Sequence, residues 1–252
     1  MAERILLEKT LTPRSKFGRS IPLGLLMLVV ALQAQPSHYT VSWLGLPVVD
    51  VTVESNPGDS TLIGHYQART RPWFDRFYLV NNQYWIVVDT LSGQPVTYRK
   101  EVTERDNRRE FHADYRFQDG KVVYANGAER SLEAGDQNLF GALLWVERRQ
   151  WEEGEQQALV VEVEGIFWQV SAVCDDIRRD EATAASIARV VIRFQEQLRG
   201  VAVLSRTDIL TGLLPGVGNE LRLEIDLQRR QILSIEFGFL PFLIRARLNP
   251  DN

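Results

Sequence analysis

From Tyr39 to Leu248 apolar and polar side chains alternate in short runs, and turn residues interrupt them at intervals of about eight to twelve positions. A period of two sends successive side chains to opposite faces of an extended chain, so the pattern calls for antiparallel strands with one face buried. Tyr39, Val41 and Trp43 alternate with Thr40 and Ser42, and Val49, Val51 and Val53 follow after Gly45 and Pro47. Gly45 is expected to bend or bulge one continuous strand there. Asn56-Pro57-Gly58-Asp59 has strong turn chemistry and closes the segment.

Further strands are expected over residues 62–70, 96–103, 110–117, 121–124, 158–164, 166–173, 189–194, 221–227, 232–237 and 243–248. Residues 76–80 are expected to pair with 84–89 across Asn81-Asn82, a dipeptide able to adopt positive φ, and Asp119-Gly120 marks a second hairpin. The period changes once. Over residues 138–150, Leu139, Phe140, Leu143 and Leu144 share a helical face, with Asp136 placed to cap the start and Arg148 and Arg149 at the end. Residues 175–188 fit either a short helix or a loop. No fixed-period repeat, low-complexity tract or long linker divides the chain. The expected fold is mainly β, a single curved antiparallel sheet or partial barrel with one packed α-helix.

Ahead of this pattern, Arg4, Lys9, Arg14, Lys16 and Arg19 lead into an apolar stretch over residues 21–32, followed by Gln33, Ala34 and Gln35. A basic start, a short apolar core and a small residue at the junction read as a secretory signal, here expected to be cleaved near Ala34. The apolar core falls short of the roughly 20 residues a spanning helix needs, and Pro22 and Gly24 interrupt it. An uncleaved signal anchor is the rival reading. The expected organisation is a signal peptide over 1–34 and one β-rich periplasmic domain over 35–252.

The leader carries five basic and two acidic side chains, so its removal takes the formal charge from −4 to −7. Nucleic acid is excluded as a partner, since phosphate binding needs a concentrated basic surface and here arginines are interleaved with acids. The single cysteine, Cys174, forbids an internal disulfide, and its apolar neighbours Val170, Ala172 and Val173 mark it as a small buried side chain before a reactive thiol.

No catalytic constellation emerges. His38, His65 and His112 sit on separate expected strands, without the close spacing that lets two imidazoles meet one metal, so neither metal nor cofactor is expected. Asp89-Thr90-Leu91 resembles an aspartic-protease loop, but Leu91 stands where glycine is required, and the segment reads as a strand end entering a turn. Asp175-Asp176 is likewise a turn or strand end. The glycines around Pro215 lack the lysine and the following helix of a phosphate loop.

Aromatic density is the remaining signal. Trp73, Phe74, Phe77, Tyr78, Tyr84 and Trp85 fall within thirteen residues, and Phe237, Phe239, Leu240 and Phe242 form a second run. Sequence neighbours on a strand cannot face the same side, so some of these rings point away from a common core. They line an apolar cavity or contact patch, or are covered by the helix.

Three motifs carry a family resemblance: Tyr39-Thr-Val-Ser-Trp-Leu-Gly-Leu-Pro-Val, Trp85-Ile-Val-Val-Asp-Thr-Leu-Ser-Gly-Gln-Pro-Val-Thr-Tyr98 and Phe111-His-Ala-Asp-Tyr-Arg-Phe117. Together with Leu143-Leu-Trp-Val-Glu-Arg148 and the closing residues 219–248, they resemble the bacterial exported proteins grouped as domain of unknown function 3108 (DUF3108), over roughly residues 38–248. The resemblance implies a periplasmic β-rich fold and supplies no catalytic residues. In plan such proteins are similar to curved-sheet lipoprotein carriers of the Gram-negative envelope, an analogy of fold alone.

The leading expectation is a non-enzymatic envelope protein that binds a lipid or other amphipathic component in an apolar groove lined by Trp73, Phe74, Phe77, Trp85, Phe140 and Leu144, with transient membrane contact. Two other classes stay open. One is an interaction or scaffold module that docks a partner by a sheet edge or by the second aromatic run. The other is a hydrolase of cell-wall polymer using Asp50, Asp89, Asp175 or Asp176.

Overall fold

The structure is a computed structural model describing residues 35–181, 183–204, 208–238 and 243–250. The leader over 1–34 and residues 239–242 of the second aromatic run lie outside the described residues.

A first series of strands comprises β1 Ser37–Trp43, β2 Leu46–Pro57, β3 Thr61–Thr70, β4 Val80–Asp89, β5 Pro95–Glu104, β6 Asn107–Arg116, β7 Lys121–Tyr124 and β8 Glu129–Ser131. A one-turn helix, α1 Pro72–Asp75, interrupts it between β3 and β4. The chain then passes through β9 Asp136–Asn138 into α2 Leu139–Arg148. The second series is β10 Gln156–Val163, β11 Ile166–Arg179, β12 Ser186–Gly200, β13 Glu220–Asp226, β14 Gln231–Phe237 and β15 Ile244–Leu248, with α3 Ile209–Leu213 before β13.

All fifteen strands join one sheet in the order β8-β7-β6-β5-β4-β3-β2-β1-β15-β14-β13-β12-β11-β10-β9. Two meanders are thus stitched by the first and last strands, Tyr39 opposite Leu248 and Trp43 opposite Ile244. Every pairing is antiparallel except β9 on β10. The outermost strands, β8 and β9, are consecutive in the chain, and the link from Ser131 to Asp136 reaches at most about 18 Å. The sheet must therefore curl until its edges approach, which makes it barrel-like without closing the ladder.

The alternation expected from sequence does this work residue by residue. Along β4, Tyr84, Ile86 and Val88 are buried while Gln83, Trp85 and Val87 are partly exposed. Helix α2 runs inside the curl and buries Leu139, Phe140, Ala142, Leu144 and Val146. Phe140 lies among inward tyrosines of three neighbouring strands, with centroids 4.9 Å from Tyr66, 4.8 Å from Tyr84 and 5.5 Å from Tyr98. Gly64 makes room for this packing: a Cβ there would stand 2.9 Å from Ile86 Cγ2 and 3.5 Å from Leu144 Cδ1.

Several local expectations are corrected. Gly45, at φ +80 beside Leu44 at φ +52, turns the chain between two antiparallel strands instead of bending one. Asn81 and Asn82 lie inside β4, and the expected turn falls earlier, over residues 71–79. Asn82 stays in the ladder because its side chain is satisfied there: Oδ1 accepts from the Thr103 amide at 3.2 Å and Nδ2 donates to Glu104 at 2.8 Å. The undecided region after Cys174 is neither helix nor loop throughout, since β11 continues to Arg179 and β12 begins at Ser186, with a bulge between Cys174 and Asp176. Asn138, not Asp136, caps α2 by accepting from the Gly141 amide at 2.6 Å. Asp136 instead accepts from Arg199 at 2.5 Å.

Candidate functional site

Because neighbouring strands run antiparallel, their connections alternate between the two ends of the barrel. One end, here the loop end, carries the β1–β2 turn, α1, the β5–β6 turn, the β10–β11 turn and the long β12–β13 connection with α3. Thirteen large apolar side chains stay exposed among the described residues, and ten belong to this end: Trp43, Leu44, Leu46, Trp73, Phe77, Leu198, Val201, Ile209, Leu213 and Val217. Scattered exposed apolar residues need no explanation, but this degree of segregation defines a patch.

The six residues expected to line a groove do not converge on one. Phe140 and Leu144 are buried in the core. The apolar space beside α2, bounded by Leu139, Leu143, Val161, Val170 and Phe194 among others, has a volume of about 10 Å³. That is about one water and far below the 300 Å³ or more of a ligand pocket. Trp85 faces outward from β4, stacked on His65 at 5.0 Å with the Arg99 guanidinium 5.3 Å from its ring. Trp73, Phe74 and Phe77 do come together, at the loop end.

There they form a ridge with Trp43. Phe74 is the hub, with centroids 6.4 Å from Trp43, 5.3 Å from Trp73 and 6.0 Å from Phe77. Pro72 starts α1, where its missing amide donor costs nothing. Thr70 donates to Asp75 from below the turn, and Arg71 is held to Asp50 at 2.7 Å. These ties keep the rings out: Trp43 is 40% exposed, Trp73 44% and Phe77 61%. Arg76 lies over the Phe77 ring at 5.0 Å and Arg105 over Tyr78 at 4.6 Å, so guanidinium groups border the aromatic surface.

Beneath the loop end the barrel interior holds charge. Lys100 points inward from β5 and donates to Glu164 of the β10–β11 turn, to Asp208 at 2.6 Å and to Thr211 at 3.2 Å. Asp208 caps α3, accepting from the Leu210 and Thr211 amides at 2.9 Å and from the Tyr84 hydroxyl at 3.1 Å. Glu104 accepts from the Ile209 amide at 3.0 Å and from Asn82. This cluster fastens α3 and its flanking connection across the barrel mouth. The side chains of Lys100, Glu164 and Asp208 are 2%, 6% and 0% exposed. Burial pushes the Asp208 carboxyl up, but the adjacent Lys100 ammonium and the Thr211 donors outweigh it and hold it below the usual carboxylate range.

Glu162 behaves oppositely. Burial pushes its carboxyl up, against hydrogen bonds from Tyr115 at 2.6 Å, the Gly165 amide at 2.5 Å and Tyr124 at 2.9 Å. A carboxyl whose folded pKa is raised binds its proton better when folded, so its contribution to stability is present below the unfolded pKa and declines as pH rises towards the folded one. Glu162→Gln removes that decline. Melting temperatures compared at pH about 4 and about 7 are expected to show the variant losing more ground to the parent at the lower pH. An equal gap at both pH values would mean that folding leaves the affinity of the Glu162 carboxyl for its proton unchanged.

The other sequence candidates stay apart. His38 contacts Thr52, His65 contacts Gln83 and His112 contacts Asp114, and no group of three or more metal-ligating side chains exists among the described residues. Asp50 is paired with Arg71, whereas Asp89, at the opposite end, accepts from the Leu91 and Ser92 amides in its turn. Asp175 borders a polar hollow of about 310 Å³ on the outer sheet face with Arg189, Arg222 and Glu236. Cys174 is buried, and burial pushes its thiol up.

Sequence reasoning missed Lys100, Glu164 and Asp208. The available signal was register: Lys100 lies between Tyr98 and Val102 on the buried face of β5.

Residues 38–161 match the family model described as protein of unknown function (DUF3108). The match takes in the first meander, α2 and most of β10, a shorter span than the resemblance to residue 248 implied. The crystal structure of a beta-barrel-like protein of domain of unknown function DUF1849 from Brucella abortus is similar over 85% of this chain and 94% of that one, with a TM-score of 0.55 and 11% sequence identity. At that identity the likeness is one of fold. No curated protein matches the chain.

Proposed function

Given that the chain carries a DUF3108 family domain over residues 38–161 within a β-barrel-like fold, we propose that it is an exported, non-enzymatic envelope protein that binds a lipid or other amphipathic component through the outside of its loop end. The single observation that carries the reading is the gathering, among the described residues, of ten of the thirteen exposed large apolar side chains at that end, with Trp43, Trp73 and Phe77 in one ridge. Support for the envelope comes from the basic and apolar leader over residues 1–34. Binding outside the barrel, not within it, accords with a packed interior and with a mouth fastened by buried ions.

A scaffold role through an open sheet edge has less support. The two outer strands are three residues each and are joined by a short link, which leaves little backbone to template an added strand. Gentle release of the protein from the cell envelope followed by native mass spectrometry tests the reading. Adducts in the lipid mass range, on a chain beginning near Gln35, are expected. A stoichiometric protein adduct without lipid, or a chain retained in the cytoplasm, would overturn it.

A further inference from the structure

Taking the loop end as the contact surface, we infer that its occupant is an anionic bilayer surface, with Trp43, Trp73 and Phe77 seated at the boundary between headgroups and acyl chains and Arg76 and Arg105 against phosphate. The composition is specific. Tryptophan and phenylalanine with arginine beside them match the chemistry of a membrane interface, where an aromatic body prefers the boundary and a guanidinium reaches anionic headgroups.

Charge supplies the second argument. The chain is acidic overall, at −4, yet Arg76, Arg105 and Arg108 are exposed around α1 and the β5–β6 turn, with Asp106 the exposed acid in that turn. Placed on a net-negative protein, that local excess of arginine orients one end towards an anionic surface and turns the remainder away. Of the other acids at this end, Asp75 accepts from Thr70, Asp50 is paired with Arg71, and Glu104 and Asp208 are buried with their donors, while Glu196, two positions before Leu198 on β12, is exposed.

The geometry suits a shallow seat. Leu44 and Leu46 in the β1–β2 turn flank the ridge and are more than half exposed, at 53% and 58%. Among the described residues no helix is long and apolar enough to cross a membrane. Anchoring by a few side chains without a span gives weak, reversible association that is sensitive to lipid charge and to salt.

Co-sedimentation of the purified protein with vesicles of zwitterionic phosphatidylcholine, and with the same vesicles containing about one-third phosphatidylglycerol, tests this. Binding to the anionic vesicles is expected, with a blue shift of tryptophan emission and loss at high salt. Reversing both charges, Arg76→Glu with Arg105→Glu, is expected to weaken binding on the order of tenfold. Trp73→Ala with Phe77→Ala is expected to abolish it while leaving the melting temperature unchanged, since both rings are exposed.

Equal binding to both vesicle types would overturn the anionic preference and leave the loop end as an amphipathic contact surface. Unchanged binding by the Trp73/Phe77 variant would overturn the assignment of this surface. Binding to neither vesicle type, alongside capture by native envelope membranes that is lost when those membranes are treated with protease, would overturn the bilayer and the proposed function together in favour of a protein partner.

Discussion

Replacing Lys100 by methionine is expected to destabilise the protein by about 3–5 kcal/mol, because it strands two buried carboxylates. Glu164 and Asp208 both accept from Lys100, and their side chains are 6% and 0% exposed. The methionine preserves most of the volume, so the loss is electrostatic and not a cavity effect. Urea denaturation measures it. Adding Asp208→Asn to the Lys100→Met chain is expected to recover about 1 kcal/mol or more, since one stranded charge is removed.

The pH response carries the sign. Without the ammonium, the burial that pushes the Asp208 carboxyl up is no longer outweighed, so its protonated form is favoured in the folded state. The deficit of Lys100→Met is therefore expected to shrink as pH falls from about 7 to about 5. In the parent, Asp208 is held low, so its contribution is present above the ordinary carboxylate pKa and is lost as pH falls through the lowered one. A loss below about 1 kcal/mol at neutral pH would mean that the cluster does not bear on the fold.

Phe140→Ala is expected to cost about 3–5 kcal/mol, for a different reason. The ring sits between Tyr66, Tyr84 and Tyr98 at the centre of the barrel, and helix α2 cannot move inward to refill the site because Gly64, Ile86 and Leu144 already occupy the adjacent layer. The substitution makes the hollow that the natural interior lacks. Saturable uptake of a small apolar probe such as benzene or xenon is expected in the variant and not in the parent, whose apolar space beside α2 is about 10 Å³. Probe binding of equal strength to the parent would show that its barrel opens in solution and would restore an interior site.

The two substitutions separate the roles of the interior. Lys100 and its partners hold the mouth shut, and Phe140 with its tyrosines fills the space behind it. Phe140 does not reach the aromatic ridge, so vesicle binding by the folded fraction of Phe140→Ala is expected to match the parent.

Much of the architecture was legible in the chain because alternation is a local property. The inward set of β4, the Asp119-Gly120 turn with Gly120 at φ +63 and the helix after residue 138 follow from spacing and from turn chemistry. Asn81-Asn82 misled for an equally physical reason. A dipeptide able to turn does not turn when its backbone is paired with strands on both sides and the Asn82 side chain is satisfied by Thr103 and Glu104, more than twenty residues away.

The candidate site was half legible. The crowding of Trp73, Phe74 and Phe77 is plain in the sequence, but spacing grouped them with Trp85, Phe140 and Leu144, from which the fold separates them. Nothing local brings Trp43 to Phe74, thirty-one positions on, or Lys100 to Asp208.

Residue order by itself determined that this chain would make a long antiparallel sheet around one helix, since side-chain periodicity and turn propensity act between neighbours. Only the tertiary structure decided which rings face water and which charges are buried. Ladder pairing joins strands far apart in the chain, as where β1 meets β15, antiparallel alternation sends the apolar loops to one end, and the curl of the sheet locks lysine and carboxylates beneath them. Those choices depend on which surfaces are excluded from solvent once the barrel has formed, a condition that no stretch of sequence meets alone.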